Sequence, residues 1–180
     1  MIEITLPIVL QIVQTIGILV GIVYYLTIMR NTQRNQELTL KAQEQALETR
    51  QVQLFMNLYE TYRSPTFRRQ WDEAIFKIEY EDWDDMNQKY NREANYDLLL
   101  SWFSVGTFFE GVGVLLKRNL IDISIIDDLL ATSIRMAWEK IGPIEIESRK
   151  RFGHPRAFDD FEYLYNELMK YHEEHPELKT

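Results

Sequence analysis

Two features of the chain combine residue types that can do chemistry, and the first is a carboxylate inside an apolar segment. Glu110 lies in the middle of Leu98–Leu116, where an unpaired charge is costly. A carboxyl group in such surroundings can have a raised pKa and handle protons. The structural interpretation is the stronger one: Glu110 is then a buried partner of an arginine such as Arg135 or Arg149, or it faces outwards.

The second feature is a pair of histidines three residues apart, His172 and His175. This spacing puts two imidazoles on neighbouring positions of a helix, and imidazole with carboxylate can bind zinc or iron. Both residues come just before Pro176, where a helix is expected to end and fray. They are weak candidates, and the sequence predicts no metal and no cofactor.

Other reaction types lack their residues or their motifs. The chain has no cysteine, which excludes thiol catalysis and cysteine-ligated clusters. The Gly111-Val-Gly113 run has neither the preceding strand nor the Lys-Ser/Thr ending of a phosphate loop. Nothing resembles a nucleophile elbow. The formal charge of −8 argues against nucleic-acid binding. We therefore expect a non-enzymatic protein.

The element that positions the rest of the chain is an apolar stretch in residues 1–29. Ile4–Met29 contains no charged side chain, and a bilayer core of about 30 Å needs roughly 20 apolar helical residues. Arg30, Arg34 and Lys41 follow the stretch, whereas only Glu3 precedes it. The positive-inside rule then predicts a single-pass anchor in the cell membrane, with the N-terminus outside and the C-terminal domain in the cytoplasm.

Four residues of this segment are candidates for contacts between membrane helices. Gly17 and Gly21 form a GxxxG motif, which lets two helix backbones approach closely. Gln11 and Gln14 can add hydrogen bonds between helices, because lipid offers amide groups no partner. The alternative is that a lipid-facing helix simply tolerates the two glycines.

Residues 30–63 are predicted to continue the same helix as a stalk. Neither glycine nor proline occurs between Gly21 and Pro65, and the composition favours helix. Leu40, Leu47 and Leu54 repeat every seven residues, as in a coiled coil. A solvated stalk carrying charge pairs between successive turns is an equal alternative.

Residues 64–180 are predicted to form a compact all-α domain of about four to six helices, with no segment that alternates like a strand. Leu98–Leu116 is apolar nearly all round, which indicates a buried central helix. The alternative is a second membrane span. The Gly142-Pro143 pair is predicted to end one helix and open the next, and Gly153 and Pro155 are predicted to mark the last helix boundary.

Several of these residues together resemble an uncharacterised prokaryotic family, catalogued as a domain of unknown function. The resemblance rests on Thr107–Asp122, on Trp138, Pro143 and Arg149, and on Phe161–Leu164. It implies one N-terminal membrane helix, a helical stalk and a small cytoplasmic helical domain. It implies no chemistry. It singles out Glu110, Trp138 and Arg149 as the positions to test.

The sequence leads to two main functional hypotheses, and a hydrolase with an unrecognised site is a third. In the first, the protein acts by assembly in the lipid bilayer, as a homo-oligomer or as an accessory subunit of a larger membrane complex. In the second, it is a membrane-anchored sensor of a ligand or metal, with a pocket near Glu110. A long stalk buried against other chains would favour the first, and an apolar cavity with converging polar groups would favour the second.

Overall fold

A computed structural model describes residues 6–178, and within that range it has six α-helices and no β-strand. The predicted all-α fold is confirmed. Residues 1–5, including Glu3 on which the predicted orientation partly depends, lie outside the described range. The helices are α1 (Leu6–Arg63), α2 (Pro65–Asp72), α3 (Trp83–Lys89), α4 (Tyr96–Lys117), α5 (Ile123–Phe152) and α6 (Asp159–Glu174).

The chain divides into two compact units, Met1–Arg50 and Gln51–Thr180. In the first unit, α1 continues without a break from Leu6, as the absence of glycine and proline after Gly21 predicts. By length and composition α1 can cross a membrane, and its apolar stretch is fully exposed in the single chain. This is consistent with an anchor. The predicted domain limits at residues 29 and 63 stay predictions.

In the second unit, α2 begins where side-chain capping predicts. The Ser64 Oγ accepts a hydrogen bond from the Phe67 backbone N–H at 3.2 Å, and Pro65 occupies the first helical turn. The helix then widens into a π-helical turn, Glu73–Lys77. The Ser101 hydroxyl donates to Glu73 Oε2 at 2.7 Å and so joins this turn to α4.

Helix α4 is the centre of the second unit. Trp102, Val105, Phe109 and Val112 are at most 1% exposed, and α4 packs against α2, α5 and α6. Its length and composition would also suit a membrane span. Its packing within the hydrophobic core instead favours the interpretation as a core helix.

Helix α5 differs from the prediction. Gly142-Pro143 does not end it, and the helix continues through Pro143 to Phe152. Proline removes one backbone donor and kinks a helix, but buried contacts on both sides can hold it together. Ile141 and Ile144 both lie in the core. Gly153, in the left-handed region with φ of 66°, ends α5 as predicted.

Helix α6 begins at Asp159, four residues after the predicted start at Pro155. The intervening residues form turns, and Phe158 adopts a left-handed backbone conformation with φ of 54°. The backbone carbonyls of this turn are held by α5, as described below. The start of α6 therefore depends on a contact between helices that the local sequence does not reveal.

Candidate functional site

A cleft of about 430 Å³ opens between α3, the first half of α4 and the second half of α5. Its size is in the range of small-molecule sites. Eight of its fourteen lining residues are aromatic or aliphatic, and the other six have polar side chains. The lining residues used below are Trp83, Asn87, Arg92, Trp102, Phe103, Glu145, Ser148, Phe152 and His154.

One wall of the cleft is positioned by the start of α3. Asp82 caps this helix, its side chain accepting from the Asp85 N–H at 2.9 Å, and the Glu81 N–H donates back to Asp85 Oδ2 at 3.0 Å. These bonds fix the direction in which the chain enters the helix. They place Trp83 so that its indole N–H donates to Ser148 Oγ on α5 at 2.7 Å.

Glu145 forms the polar floor of the cleft. Glu145 is 6% exposed, and the Trp102 Nε1–H group donates a hydrogen bond to its Oε1 at 3.0 Å. Burial raises the pKa of the Glu145 carboxyl; the Trp102 hydrogen bond and the nearby Arg149 charge oppose this effect. The floor is thus a carboxyl group whose ionised form is poorly solvated.

A serine, a histidine and a glutamate all line this cleft, but they do not form a catalytic triad. The Ser148 hydroxyl is bonded to Trp83, and Glu145 is bonded to Trp102. Among residues 6–178, no hydrogen bond joins His154 to Ser148 or to Glu145. A nucleophile needs a base within hydrogen-bond reach and a group that orients the base.

Glu110 does not line this cleft; it caps α6 from α4. Its Oε2 accepts a hydrogen bond from the Phe161 backbone N–H at 2.7 Å. This donor belongs to a helix N-terminus, where backbone N–H groups have no partner within their own helix. Burial, and to a lesser degree the neighbouring Asp160 and Asp159 charges, raise the pKa of Glu110, while the backbone N–H groups of Phe161 and Asp160 lower it.

Three carboxylates, those of Glu110, Asp159 and Asp160, lie close enough to share a cation, with oxygens within 4.8 Å of one another. Two of them already have partners in the protein. Glu110 is bound to the Phe161 N–H, and Asp160 Oδ1 pairs with Lys117 Nζ at 2.6 Å. The cluster is therefore accounted for by the capping of α6.

Arg149 and Trp138 also support the start of α6. Arg149 donates to the backbone oxygens of Ala157 at 2.6 Å and Phe158 at 2.7 Å, and pairs with Glu162. The Trp138 ring packs edge-on against Phe161 with centroids 4.9 Å apart. Glu110 and Arg149 thus hold the same turn by different groups, and Arg149 is not the ionic partner of Glu110.

Arg135 is not a partner of Glu110 either, because it is exposed on α5 beside a shallow depression. His172 lines the same depression and its Nε2 lies 2.5 Å from Asp127 Oδ1. His175 instead contacts the Tyr171 backbone oxygen at 3.0 Å and stacks on the Tyr171 ring. The two histidines have separate partners, so the structure does not bring them together as metal ligands.

The candidate contact residues of α1 are open in the single chain. Gly17 and Gly21 have no atom within 4 Å of an added Cβ, apart from their own helix. Gln11 and Gln14 are exposed, as are Leu40 and Leu47 at 60% and 62%. Leu54 is partly buried. Whether these residues associate with helices of other chains stays a prediction.

The cleft was not predicted from the sequence, although one signal for it was present. Ile134, Trp138, Ile141 and Glu145 follow one another at helical spacings of three and four, and all four are buried. A carboxylate therefore occupies a position of an otherwise apolar stripe. Ending the helix at Gly142-Pro143 hid this signal, because Glu145 was then assigned to another helix.

Comparison with known proteins gives one family and no individual relative. The family model described as a domain of unknown function (DUF4760) matches residues 11–168. No curated protein and no solved structure is significantly similar to the chain.

Proposed function

The chain belongs to the DUF4760 family of unknown function, and we propose that it is a membrane-anchored sensor whose helical domain binds a small ligand in the cleft around Glu145. The observation that carries the proposal is an apolar cleft of about 430 Å³ with a buried carboxylate on its floor. Such a combination is the usual form of a small-molecule site. The proposal moves the predicted pocket from Glu110 to Glu145.

Two further observations support a binding role without catalysis. Ser148 and Glu145 accept hydrogen bonds from the indole N–H groups of Trp83 and Trp102, which fixes the positions of these two polar groups in the cleft. No nucleophile and base are joined by a hydrogen bond in the described part of the cleft. We therefore propose a non-enzymatic function.

Retention of a ligand by the purified chain tests the proposal. The full chain, extracted into nanodiscs, is analysed by native mass spectrometry for bound small molecules and by thermal shift against a metabolite library. Asn87→Trp fills the mouth of the cleft at an exposed position. Gln88→Trp is the matched control, since Gln88 is exposed and does not line the cleft.

We expect the unaltered chain and Gln88→Trp to retain or respond to the same molecules, and Asn87→Trp to lose them. The proposal is overturned if no molecule is retained and none shifts the melting temperature. It is also overturned if Asn87→Trp behaves like the unaltered chain, because the ligand then binds elsewhere.

For the location, we propose a single-pass anchor in the cell membrane with the helical domain on the cytoplasmic side. The apolar stretch of α1 and the basic residues Arg30, Arg34 and Lys41 after it support this orientation. Because the chain has no cysteine, Gln88→Cys provides a single labelling site. A membrane-impermeant maleimide should label it only after the cells are opened, and labelling of intact cells would reverse the orientation.

A second candidate function is assembly through α1, as a homo-oligomer or as a subunit of a membrane complex. Leu40 and Leu47 favour it, because two leucines one heptad apart are about 60% exposed. The glycine pair is a separate surface. At 100° per residue, Gly17 and Gly21 lie roughly 80–140° around the helix from these leucines. A single contact between two straight helices therefore cannot include both the glycine pair and the leucine pair.

The mass and composition of the nanodisc particle test this candidate. Several copies of the chain alone would support self-assembly, and Gly17→Leu and Leu40→Glu would then show which surface is used. Other subunits in fixed proportion would support an accessory role. A monomer at all concentrations would contradict both forms.

A further inference from the structure

We propose that the cleft binds an organic ammonium ion with an aromatic or aliphatic body, and that Glu145 is its counter-ion. This inference rests on the proposed ligand-binding function and specifies the chemistry of the ligand. It starts from a charge that the protein alone leaves incompletely compensated.

Glu145, at 6% exposure, is the only buried charged residue in the described part of the chain; the other buried polar residue, Ser101, is neutral. Placing a carboxylate in such surroundings is unfavourable unless hydrogen bonds or an opposite charge compensate it. A single indole N–H, that of Trp102, is bonded to it. A position that could hold a leucine or methionine instead holds a charge.

The second carboxylate oxygen of Glu145, Oε2, forms no hydrogen bond within residues 6–178, whereas Oε1 accepts from Trp102. No fully buried side-chain oxygen in this range lacks a partner. Since Oε2 has no partner, it is not fully buried and reaches the cleft that Glu145 lines.

No cation of the described chain forms an ion pair with Glu145. Arg149, one helical turn away, directs its guanidinium to Ala157, Phe158 and Glu162. Arg92 and His154 line the cleft but are exposed, and neither forms an ion pair with Glu145. Arg149 therefore compensates the Glu145 charge only from a distance, and a ligand cation in the cleft would complete the compensation.

The walls suit the remainder of such a ligand. Trp83, Trp102, Phe103 and Phe152 line the cleft, and the faces of aromatic rings attract organic cations. The protein already uses one of these rings in this way, since Arg151 Cζ lies 4.4 Å from the Trp83 ring centroid. An anionic ligand would be repelled by ionised Glu145, and a neutral one would leave its charge uncompensated.

The test compares three probes of similar shape that differ in charge: phenethylammonium, 2-phenylethanol and 3-phenylpropionate. Binding to the full chain in nanodiscs is measured by calorimetry and by tryptophan fluorescence, with empty nanodiscs as the blank. We expect phenethylammonium to bind at least about tenfold more tightly than the other two, as a charge-assisted hydrogen bond implies. This comparison uses the unaltered chain and does not depend on how a variant folds.

Two glutamine variants complete the test. Glu145→Gln keeps the acceptor for Trp102 but removes the charge, and it should weaken phenethylammonium binding at least about tenfold. Glu147→Gln removes a charge two residues away on the same helix; Glu147 pairs with Lys150 and Arg151 and does not line the cleft. It should bind the probe like the unaltered chain.

The inference is overturned if 2-phenylethanol or 3-phenylpropionate binds as tightly as phenethylammonium, if Glu145→Gln binds the ammonium probe unchanged, or if the ammonium probe does not bind. The proposed ligand-binding function is judged separately, by ligand retention in Asn87→Trp, since that comparison does not depend on the charge of the ligand. If the cleft retains a neutral ligand, the proposal of an ammonium ligand is refuted, but the proposed ligand-binding function is not.

Discussion

Glu110 was the carboxylate that the sequence singled out, and its role as the cap of α6 can be tested with two substitutions. Glu110→Gln keeps an oxygen that can accept from the Phe161 N–H. Glu110→Ala removes the acceptor and leaves the Phe161 N–H without its partner in half-buried surroundings. The informative quantity is the difference in unfolding free energy between these two variants, because both lack the charge.

The expected difference follows from the backbone donors. Leaving a buried donor without its partner costs about 1–3 kcal/mol, and loss of a helix cap costs about 0.5–2 kcal/mol. We therefore expect Glu110→Ala to be about 1–3 kcal/mol less stable than Glu110→Gln. For a domain of this size, 1 kcal/mol shifts the melting temperature by about 3–5 °C, so the two variants should differ by about 3–15 °C.

Tryptophan fluorescence is a suitable assay, because all four tryptophans of the chain, Trp71, Trp83, Trp102 and Trp138, lie between residues 51 and 180. Thermal or urea unfolding of the full chain in nanodiscs then reports on the helical domain. The capping argument is refuted if the alanine and glutamine variants unfold at the same temperature.

The pH dependence gives a second check with a definite sign. The pKa of Glu110 is raised above its ordinary value of 4.5, mainly by burial. An acid with a raised pKa contributes its full stability below the unfolded pKa and loses it as pH rises through the folded pKa. Glu110→Gln should therefore be at least as stable as the unaltered chain at neutral pH, and this relative gain should disappear on acidification. A glutamine variant that is less stable at neutral pH would show that the charge is favourable.

Four further substitutions test the packing and capping of the helical domain. Gly113→Ala should destabilise the domain by about 1–3 kcal/mol or more, because its Cβ would collide with the backbone carbonyl of Asp160, whereas Gly111→Ala meets nothing and should be neutral or stabilising by up to about 1 kcal/mol. Arg149→Lys should cost about 1.5–3 kcal/mol, because lysine cannot reproduce the guanidinium bonds to two carbonyls and a carboxylate. Ser64→Ala should cost about 1 kcal/mol through loss of the α2 cap. Urea unfolding of each variant measures these differences, and a destabilising Gly111→Ala would contradict the packing assigned to α4.

Local signals in the sequence predicted the helix boundaries that depend on local chemistry. The absence of glycine and proline predicted the continuity of α1, and Ser64 and Gly153 predicted the start of α2 and the end of α5. In each case the residues that decide the boundary lie within a few positions of it. Local composition is sufficient in such places, because the capping bonds are themselves local.

The same signals failed where contacts distant in sequence decide the outcome. Pro143 was predicted to open a new helix, yet α5 passes through it. Buried residues on both sides, Ile141 and Ile144, keep the two halves in one helix at the expense of a backbone bond. Gly142 permits this packing, because a Cβ there would press on the Trp138 indole. None of these contacts can be read from the residues next to the proline.

The two carboxylates show why the site, too, required a structure. Glu110 lies in the apolar helix α4 and Glu145 on the buried stripe of the amphipathic helix α5, and burial raises the pKa of both. Neither burial nor a raised pKa separates a structural carboxylate from one that binds a ligand. The two carboxylates differ in what surrounds them: backbone N–H groups of α6 meet Glu110, whereas Glu145 has one indole partner and an oxygen that reaches a cleft. A backbone donor has no signature in the side-chain sequence, so the sequence pointed to an arginine for Glu110. The surroundings of the carboxylate therefore separate the two roles: Glu110 caps the start of a helix, whereas Glu145 lines a cleft large enough for a ligand, and Glu145 is the residue to pursue.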